Sequence, residues 1–186
     1  MKDLALFGIQ GAGKWTQAKL LMEAFPDVYS YFSSGDLFRA ITKWGDNAIW
    51  NYVKNRIENW LLINDNVTNT LFQAYMHTVI DEKKHMLLDG YPRTINQLDD
   101  IFRLLDQEKR HIMGIQFVIP DDVAIQRMLA RGRKDDNPDA IKLRIAQYYE
   151  KTEPVITYFG QHSDLIKIDA TQNIDKISAE VKKYVG

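Results

Sequence analysis

The sequence contains no cysteine among its 186 residues, which excludes disulfide bonds and metal sites built on thiolates. It also lacks a surplus of either charge. Its 24 Lys and Arg residues against 25 Asp and Glu argue against a general nucleic-acid or membrane-surface binder. Long apolar runs are missing too, since no stretch reaches the roughly 20 residues that a membrane-spanning helix needs. We therefore expect a soluble cytoplasmic protein with no nucleic-acid or membrane partner. Any function that needs positive charge must come from a local arginine cluster.

Short apolar runs alternate with longer stretches of helical pattern, without repeats or low-complexity linkers. This alternation predicts a single α/β domain with a parallel sheet covered by helices on both faces. Residues 41–79 show helical patterns without a clear strand and predict an inserted helical lobe. Ligands of such sheets bind beyond the carboxyl ends of the strands, so functional residues are expected just after them. The predicted strands are residues 4–7, 29–32, 86–88, 114–119 and 165–168.

The segment after the first predicted strand has the pattern of a phosphate-binding loop. Gly8, Gly13 and Lys14 fit the spacing G-x-x-x-x-G-K, with Gly11 also inside the loop. Glycines let backbone N–H groups converge on phosphate oxygens, and the helix that follows directs its positive end at the same anion. The alternative is an ordinary strand–turn–helix junction. The apolar strand before the loop and the amphipathic helix after it favour the phosphate site.

The residue after the lysine is unusual for such a loop. In its common form this position carries a hydroxyl that contacts Mg²⁺, whereas here it is Trp15, with Thr16 one residue later. An indole cannot bind a hard cation. We expect the Trp15 backbone N–H to serve the phosphates still, while the side chain turns away from the metal.

The third predicted strand ends in a second polar motif. Asp89 can hold Mg²⁺ through water, opposite the phosphate loop. Gly90 permits a tight turn, Arg93 can bind a phosphate with two parallel hydrogen bonds, and the Gln97 amide can read the edge of a base. Taken alone, Asp89 would be a solvated turn residue and Gln97 a surface helix residue.

Arginines recur in the second half of the chain. Arg127 and Arg131 are four residues apart on one predicted helix face, Arg133 follows, and Arg144 lies on the next predicted helix. Such a run of charged residues is usually just the solvent-exposed face of a helix. In a chain with a phosphate loop, the four arginines favour a clamp that brings two polyphosphates together.

Three long segments resemble the motifs of the adenylate kinases, within the nucleoside monophosphate kinases. They are SSGDLFRA at 33–40, LLDGYPRTINQ at 87–97 and RKDDNPDAIKLRIAQYYEKTEPVITYF at 133–159. The likeness runs in order over nearly the whole chain. It implies the reaction ATP + AMP ⇌ 2 ADP, with Mg²⁺ as the cofactor. We also expect a monomer.

The resemblance also implies the architecture. The fold would be a P-loop kinase domain spanning residues 1–186, with a five-stranded parallel sheet covered by helices. A monophosphate-binding lobe would occupy about residues 34–65, and a vestigial lid about 127–136.

The resemblance assigns roles to individual residues. Those that would bind ATP are Gly11, Ala12, Gly13, Lys14, Trp15, Thr16, Arg127, Arg131 and Gln172. Those that would bind AMP are Ser34, Arg39, Leu61, Leu62, Ile63, Gly90, Arg93, Gln97, Arg133 and Arg144. Those that would stabilise the transfer itself are Lys14, Arg93, Arg127, Arg133 and Arg144. Those that would hold Mg²⁺, through water, are Thr16 and Asp89.

The chain departs from the family pattern at several positions. Gln10 replaces a proline, Trp15 and Trp60 replace glycines, and only Gly132 separates Arg131 from the next arginine. So short a lid should exclude water less well from the transfer site. Two alternatives therefore stay open: a kinase for another monophosphate such as CMP or UMP, and a catalytically weak regulatory protein that binds nucleotides.

Overall fold

The computed structural model describes residues 1–43, 45, 47–59, 61–132 and 137–185. Within them, parallel strands form one sheet with the order β2-β3-β1-β4-β5. The five predicted strands are confirmed, with ends shifted by at most two residues. The strands are β1 (Asp3–Phe7), β2 (Tyr29–Ser33), β3 (His85–Asp89), β4 (Ile112–Val118) and β5 (Leu165–Asp169).

Helices follow or separate the strands, as the alternating pattern predicts. A short π-helical turn, Tyr148–Thr152, joins two of them. Among the described residues, no helix is both long and apolar enough to cross a membrane. The helices are α1 (Lys14–Ala24), α2 (Ser34–Ile41), α3 (Ala48–Glu58), α4 (Asp65–Asp81), α5 (Ile95–Gln107), α6 (Asp121–Arg131), α7 (Pro138–Gln147), α8 (Glu153–His162) and α9 (Ile174–Val185).

The centre of the sheet is buried on both faces, which explains why β1 and β4 are mostly continuous apolar runs instead of alternating ones. All five residues of β1 are buried, and so are the first six of β4. The main core gathers the side chains of these strands with those of the covering helices. The predicted α/β class and P-loop kinase fold are confirmed.

The sheet order determines where the loop after β1 lies. β1 is flanked by β3 on one side and β4 on the other, so the crossovers diverge there, and ligands of open α/β sheets bind at such a point. In the parallel register Leu6 and Ser33 are both level with Asp89, so β1, β2 and β3 end at one edge. The polar residues after these strands are thereby brought together.

The helical insertion expected over residues 41–79 is confirmed only in its first part, which lies between β2 and α4, because residues 65–79 belong to α4 and pack on the main core. This part consists of α2, α3 and the segment leading into α4, hereafter the α2–α3 lobe. The lobe has its own small hydrophobic cluster of Phe38, Ile41, Val53 and Ile63. Its role as a monophosphate-binding lobe stays a prediction.

The region of the expected lid is short. α6 ends at Arg131, and Gly132 caps it in the left-handed conformation with φ +63°. α7 begins at Pro138, where the Asn137 side chain accepts a hydrogen bond from Ala140 N at 2.9 Å. Asn137 is therefore the N-cap of α7. Arg133, assigned to both AMP binding and transfer, lies outside the described residues.

Candidate phosphoryl-transfer site

One cleft of ≈ 1120 Å³ opens at the carboxyl edge of the sheet. It is lined by the loop after β1, the α2–α3 lobe, the turn after β3 and the arginine-bearing faces of α6 and α7. Every predicted site residue that the structure describes lines this cleft. Residues from distant parts of the sequence are thus brought to one place, as the motifs predict.

The loop after β1 is shaped by glycines in conformations that other residues rarely adopt. Gly11 has φ +90°, and a Cβ there would lie 2.8 Å from the Ala124 backbone oxygen of α6. Gly13 has φ +87° and caps the start of α1. Arg127 donates from Nη1 to the Gly11 carbonyl at 3.4 Å. The loop therefore lies directly against the helix that carries the first arginine of the clamp.

The lysine of the loop is folded back onto it. Lys14 Nζ donates to the carbonyl oxygens of Gly8 at 2.7 Å and Ile9 at 3.1 Å. Burial lowers the pKa of Lys14, the neighbouring Asp89 carboxylate opposes this shift, and nearby arginines add to it. An ammonium whose pKa is lowered by desolvation and by cationic neighbours is stabilised by an anionic ligand. A phosphate at this loop would supply that anion.

Asp89, at the end of β3, is held by a tyrosine that the sequence analysis did not single out. Tyr31 Oη donates to Asp89 Oδ2 at 3.0 Å. The Trp15 ring lies against the Tyr31 ring, with centroids 5.4 Å apart and planes at 54°, and the Trp15 residue is 49% exposed. One side chain therefore separates the indole from the candidate metal carboxylate. The signal for Tyr31 in the sequence is its place near the carboxyl end of the predicted strand 29–32, the edge at which ligands are expected to bind.

Arg93 lies at the centre of a second cationic region. Its Nε donates to the Gly90 carbonyl at 2.7 Å. Burial lowers the pKa of Arg93, Asp89 opposes the shift, and Arg39 and Arg144 reinforce it. Three guanidinium groups thus converge on one part of the cleft, which is the environment a phosphate dianion requires.

Two side chains constrain the edges of this region. Arg39 Nη2 contacts Asp36 Oδ1 at 2.5 Å, so one of its donors is already engaged. Ser34 Oγ donates to the Gly90 carbonyl at 2.5 Å.

A Cβ at Gly90 would lie 2.8 Å from Arg93 Nη2, so the turn leaves no room for a larger residue unless that guanidinium moves. The glycine predicted for a tight turn also keeps Arg93 in position.

Gln97 lies in the first turn of α5 and is 3% exposed, so the alternative of a surface helix residue is wrong. Its Oε1 accepts from Arg93 N at 2.7 Å, and its Nε2 donates to Asp65 Oδ1 at 2.8 Å. Thr94 caps the helix and donates to the other Asp65 oxygen at 2.8 Å. Asp65 was not predicted as a site residue, because nothing in its local sequence signals a contact with Gln97.

The segment from Leu61 to Ile63 approaches the same part of the cleft. The Leu62 carbonyl accepts from Arg56 Nε at 2.9 Å, which fixes the backbone of the segment. Ile63 is 8% exposed and belongs to the lobe cluster, whereas Leu61 is 44% exposed. This segment can therefore offer the cleft its backbone and the Leu61 side chain.

The donor set suits a hard cation held through water. Asp89 offers a carboxylate and Thr16 a hydroxyl, and oxygen donors of this kind are preferred by Mg²⁺. No group of three or more His, Asp or Glu in the described parts of the chain could hold a metal ion on its own. A divalent metal here would be coordinated mainly by nucleotide phosphates and water.

The fold and the cleft together define a P-loop phosphotransferase of the nucleoside monophosphate kinase class. A phosphate loop at the divergence of the crossovers faces a second arginine-rich pocket across one cleft. The adenylate kinase family model matches residues 6–164. The chain therefore belongs to the adenylate kinase family, whose members are phosphoryl-transfer enzymes that generally need a divalent metal.

Relatives cover the chain from end to end. The adenylate kinase of Corynebacterium diphtheriae is 36% identical over 184 residues, covering 98% of both chains. That of Corynebacterium glutamicum strain R is 34% identical with the same coverage. That of Prochlorococcus marinus is 31% identical over 186 residues, covering 100% of this chain and 99% of the relative.

Proposed function

We propose that this chain transfers the terminal phosphoryl group of ATP to AMP, reversibly and with Mg²⁺, to give two ADP. The observation that carries the proposal is that a single cleft is lined both by a phosphate loop with a half-buried lysine and by a second group of three arginines, Arg39, Arg93 and Arg144. A kinase with a nucleoside monophosphate acceptor needs two such anion sites facing each other.

The ATP phosphates would lie on the loop, where backbone N–H groups, the start of α1 and Lys14 meet them. Lys14 would release the Gly8 and Ile9 carbonyls and turn to the phosphates. Arg127 and Arg131, which line the same cleft, would neutralise charge that develops on the transferring group. Gln172 also lines the cleft, where it would border the adenine of ATP.

The AMP phosphate would lie among Arg39, Arg93 and Arg144. Its oxygen is already anionic, so it attacks the terminal phosphorus without a general base. The new oxygen–phosphorus bond forms as the bond to the ADP leaving group breaks, and catalysis consists of positioning and charge neutralisation. Mg²⁺, held through water by Asp89 and Thr16, would neutralise phosphate oxygens.

The adenine of AMP would be read by Gln97, with Ser34 and the backbone of 61–63 beside it. Gln97 is 3% exposed, so a base that does not pair with its amide leaves a buried polar group without a partner. Such a loss costs about 1–3 kcal/mol. We also propose that the protein acts as a monomer, since residues of one chain line the whole cleft.

A coupled assay of ADP formation from ATP and AMP tests the activity, and light scattering tests the monomer. We expect AMP to be phosphorylated with a higher kcat/KM than GMP or UMP, whose base edges do not match the Gln97 amide. We expect the same relative to CMP, because a single pyrimidine ring buries less apolar surface than adenine. Nucleotide binding without ADP formation would refute the enzyme activity. A kcat/KM for CMP equal to or above that for AMP would refute the adenine assignment.

A further inference from the structure

The carboxamide of Gln97 is held at both ends by groups of opposite hydrogen-bonding character. The Arg93 backbone N–H can only donate, and it meets Oε1 at 2.7 Å. The Asp65 carboxylate can only accept, and it meets Nε2 at 2.8 Å. The amide therefore has one favoured orientation.

Rotating this amide by half a turn would be costly. Nε2 would then face the Arg93 N–H, donor against donor, and Oε1 would face the Asp65 carboxylate, acceptor against acceptor. Gln97 is 3% exposed, so water cannot replace the lost partners.

Asp65 is itself held in place. Thr94 Oγ1 donates to its second oxygen at 2.8 Å, and Asp65 is the first residue of α4, where the helix dipole favours a negative charge. The acceptor that faces Gln97 is thus a fixed carboxylate.

The orientation determines what remains for a base. Oε1 keeps one lone pair and Nε2 keeps one N–H, and Gln97 lines the cleft. This pair matches a base edge that offers an amino donor beside a ring-nitrogen acceptor, as adenine and cytosine do. Hypoxanthine, guanine and uracil offer a carbonyl beside a ring N–H, which would require the rotated amide.

We propose that Asp65 is a specificity-determining positioning residue, which holds the Gln97 amide in the orientation that accepts 6-amino purines and rejects 6-oxo purines. The proposal rests on the proposed function, in which Gln97 faces the base of the monophosphate. Asp65 acts through Gln97 and does not contact the base.

The substitution Asp65→Asn tests this because it replaces a carboxylate, which can only accept hydrogen bonds, by an amide of the same shape. The amide has one group that donates hydrogen bonds and one that accepts them. If the Asn oxygen keeps the Thr94 hydroxyl, its NH₂ faces Gln97 and favours the rotated amide. A matched control is Asp100→Asn. Asp100 accepts from Asn69 and so also joins α4 to α5, but it has no hydrogen bond to Gln97.

The measurement is kcat/KM for AMP, IMP and CMP in the parent and both variants. In the parent we expect AMP to exceed IMP by at least about a hundredfold, since a site built to hydrogen-bond one edge rejects its mismatch strongly. In Asp65→Asn the AMP-to-IMP ratio should fall by about tenfold or more, while the AMP-to-CMP ratio changes by less than about threefold, since both bases present the same edge. Asp100→Asn should leave both ratios unchanged.

A general loosening of the structure would lower kcat/KM for all three monophosphates by similar factors. An unchanged AMP-to-IMP ratio of kcat/KM in a folded Asp65→Asn variant would therefore overturn the proposal. If Asp65→Asn does not fold, the parent protein alone tests the proposal. Comparable kcat/KM values of the parent for AMP and IMP would show that the Gln97 amide is not held in one orientation. If the parent forms no ADP, the proposed function fails. The affinities for AMP and IMP by titration calorimetry then still test the orientation.

Discussion

Replacing Trp15 by glycine, the residue usual at this position in the family, tests what the indole contributes. Trp15 is 49% exposed and packs on Tyr31. A tryptophan buries about 150–250 Å² when enclosed, so half of that is about 100 Å², or about 2.5 kcal/mol at 25 cal/mol per Å². Glycine in the first turn of α1 adds about 0.5–1 kcal/mol of chain entropy. Trp15→Gly should therefore lower the free energy of unfolding by about 3 kcal/mol.

For a protein of this size, each kcal/mol corresponds to about 2–4 °C, so the melting temperature should fall by about 6–12 °C. ATP affinity should stay within about tenfold of the parent, because the backbone N–H at position 15 is retained. Trp15→Phe is the matched control, since it keeps an aromatic contact with Tyr31 and should lose less stability. ATP should change the tryptophan fluorescence of the parent, and this change should be absent from Trp15→Phe.

Two results would contradict this reasoning. An unchanged melting temperature would mean that the indole makes no stabilising contact. A large gain in kcat for Trp15→Gly would mean that the indole obstructs transfer, and would favour a slow or regulatory role for the parent.

Three further predictions concern other parts of the molecule. Lys14→Ala and Arg93→Ala should each lower turnover at least about a hundredfold while the far-UV circular dichroism stays unchanged, and full activity would show that the cationic sites are assigned wrongly. ATP hydrolysis without AMP should be a larger fraction of kinase turnover than in a long-lid member of the family assayed in parallel, and an equal fraction would mean that another element excludes water. The Tyr149 hydroxyl donates to Asp121 at 2.6 Å, and this hydrogen bond raises the pKa of Tyr149 to about 12. Because that pKa lies above the ordinary value of about 10, the stabilisation is complete below about pH 10 and lost as the pH rises through 12. Tyr149→Phe should thus lose stability in urea titrations near neutral pH and differ less from the parent above pH ~11, whereas a difference independent of pH would exclude this cause.

The sequence predicted those parts of the structure that depend on local pattern. Strands buried on both faces are continuous apolar runs, and a glycine loop before Lys14 is a short-range signal, so both were placed correctly. The contacts of Tyr31 with Asp89 and of Asp65 with Gln97 join residues 58 and 32 positions apart. Such pairs depend on strand register and helix packing, which no local pattern encodes. The hydrogen bonds of Lys14 to the Gly8 and Ile9 carbonyls were not predicted for another reason. The sequence motif describes only how this lysine binds a phosphate.

The separate hydrophobic cluster of the α2–α3 lobe has a consequence for how the molecule opens. Among the described residues of the lobe, the buried apolar side chains are those of Phe38, Ile41, Val53 and Ile63, whereas the main core spans the whole sheet. Regions with few buried apolar side chains open at a lower free energy than the whole protein. Backbone amides of α3 should therefore exchange with deuterium sooner than those of α1 or α5. Mild warming should raise the KM for AMP before it affects the KM for ATP, because the lobe would lose its ordered form while the sheet and the phosphate loop remain folded.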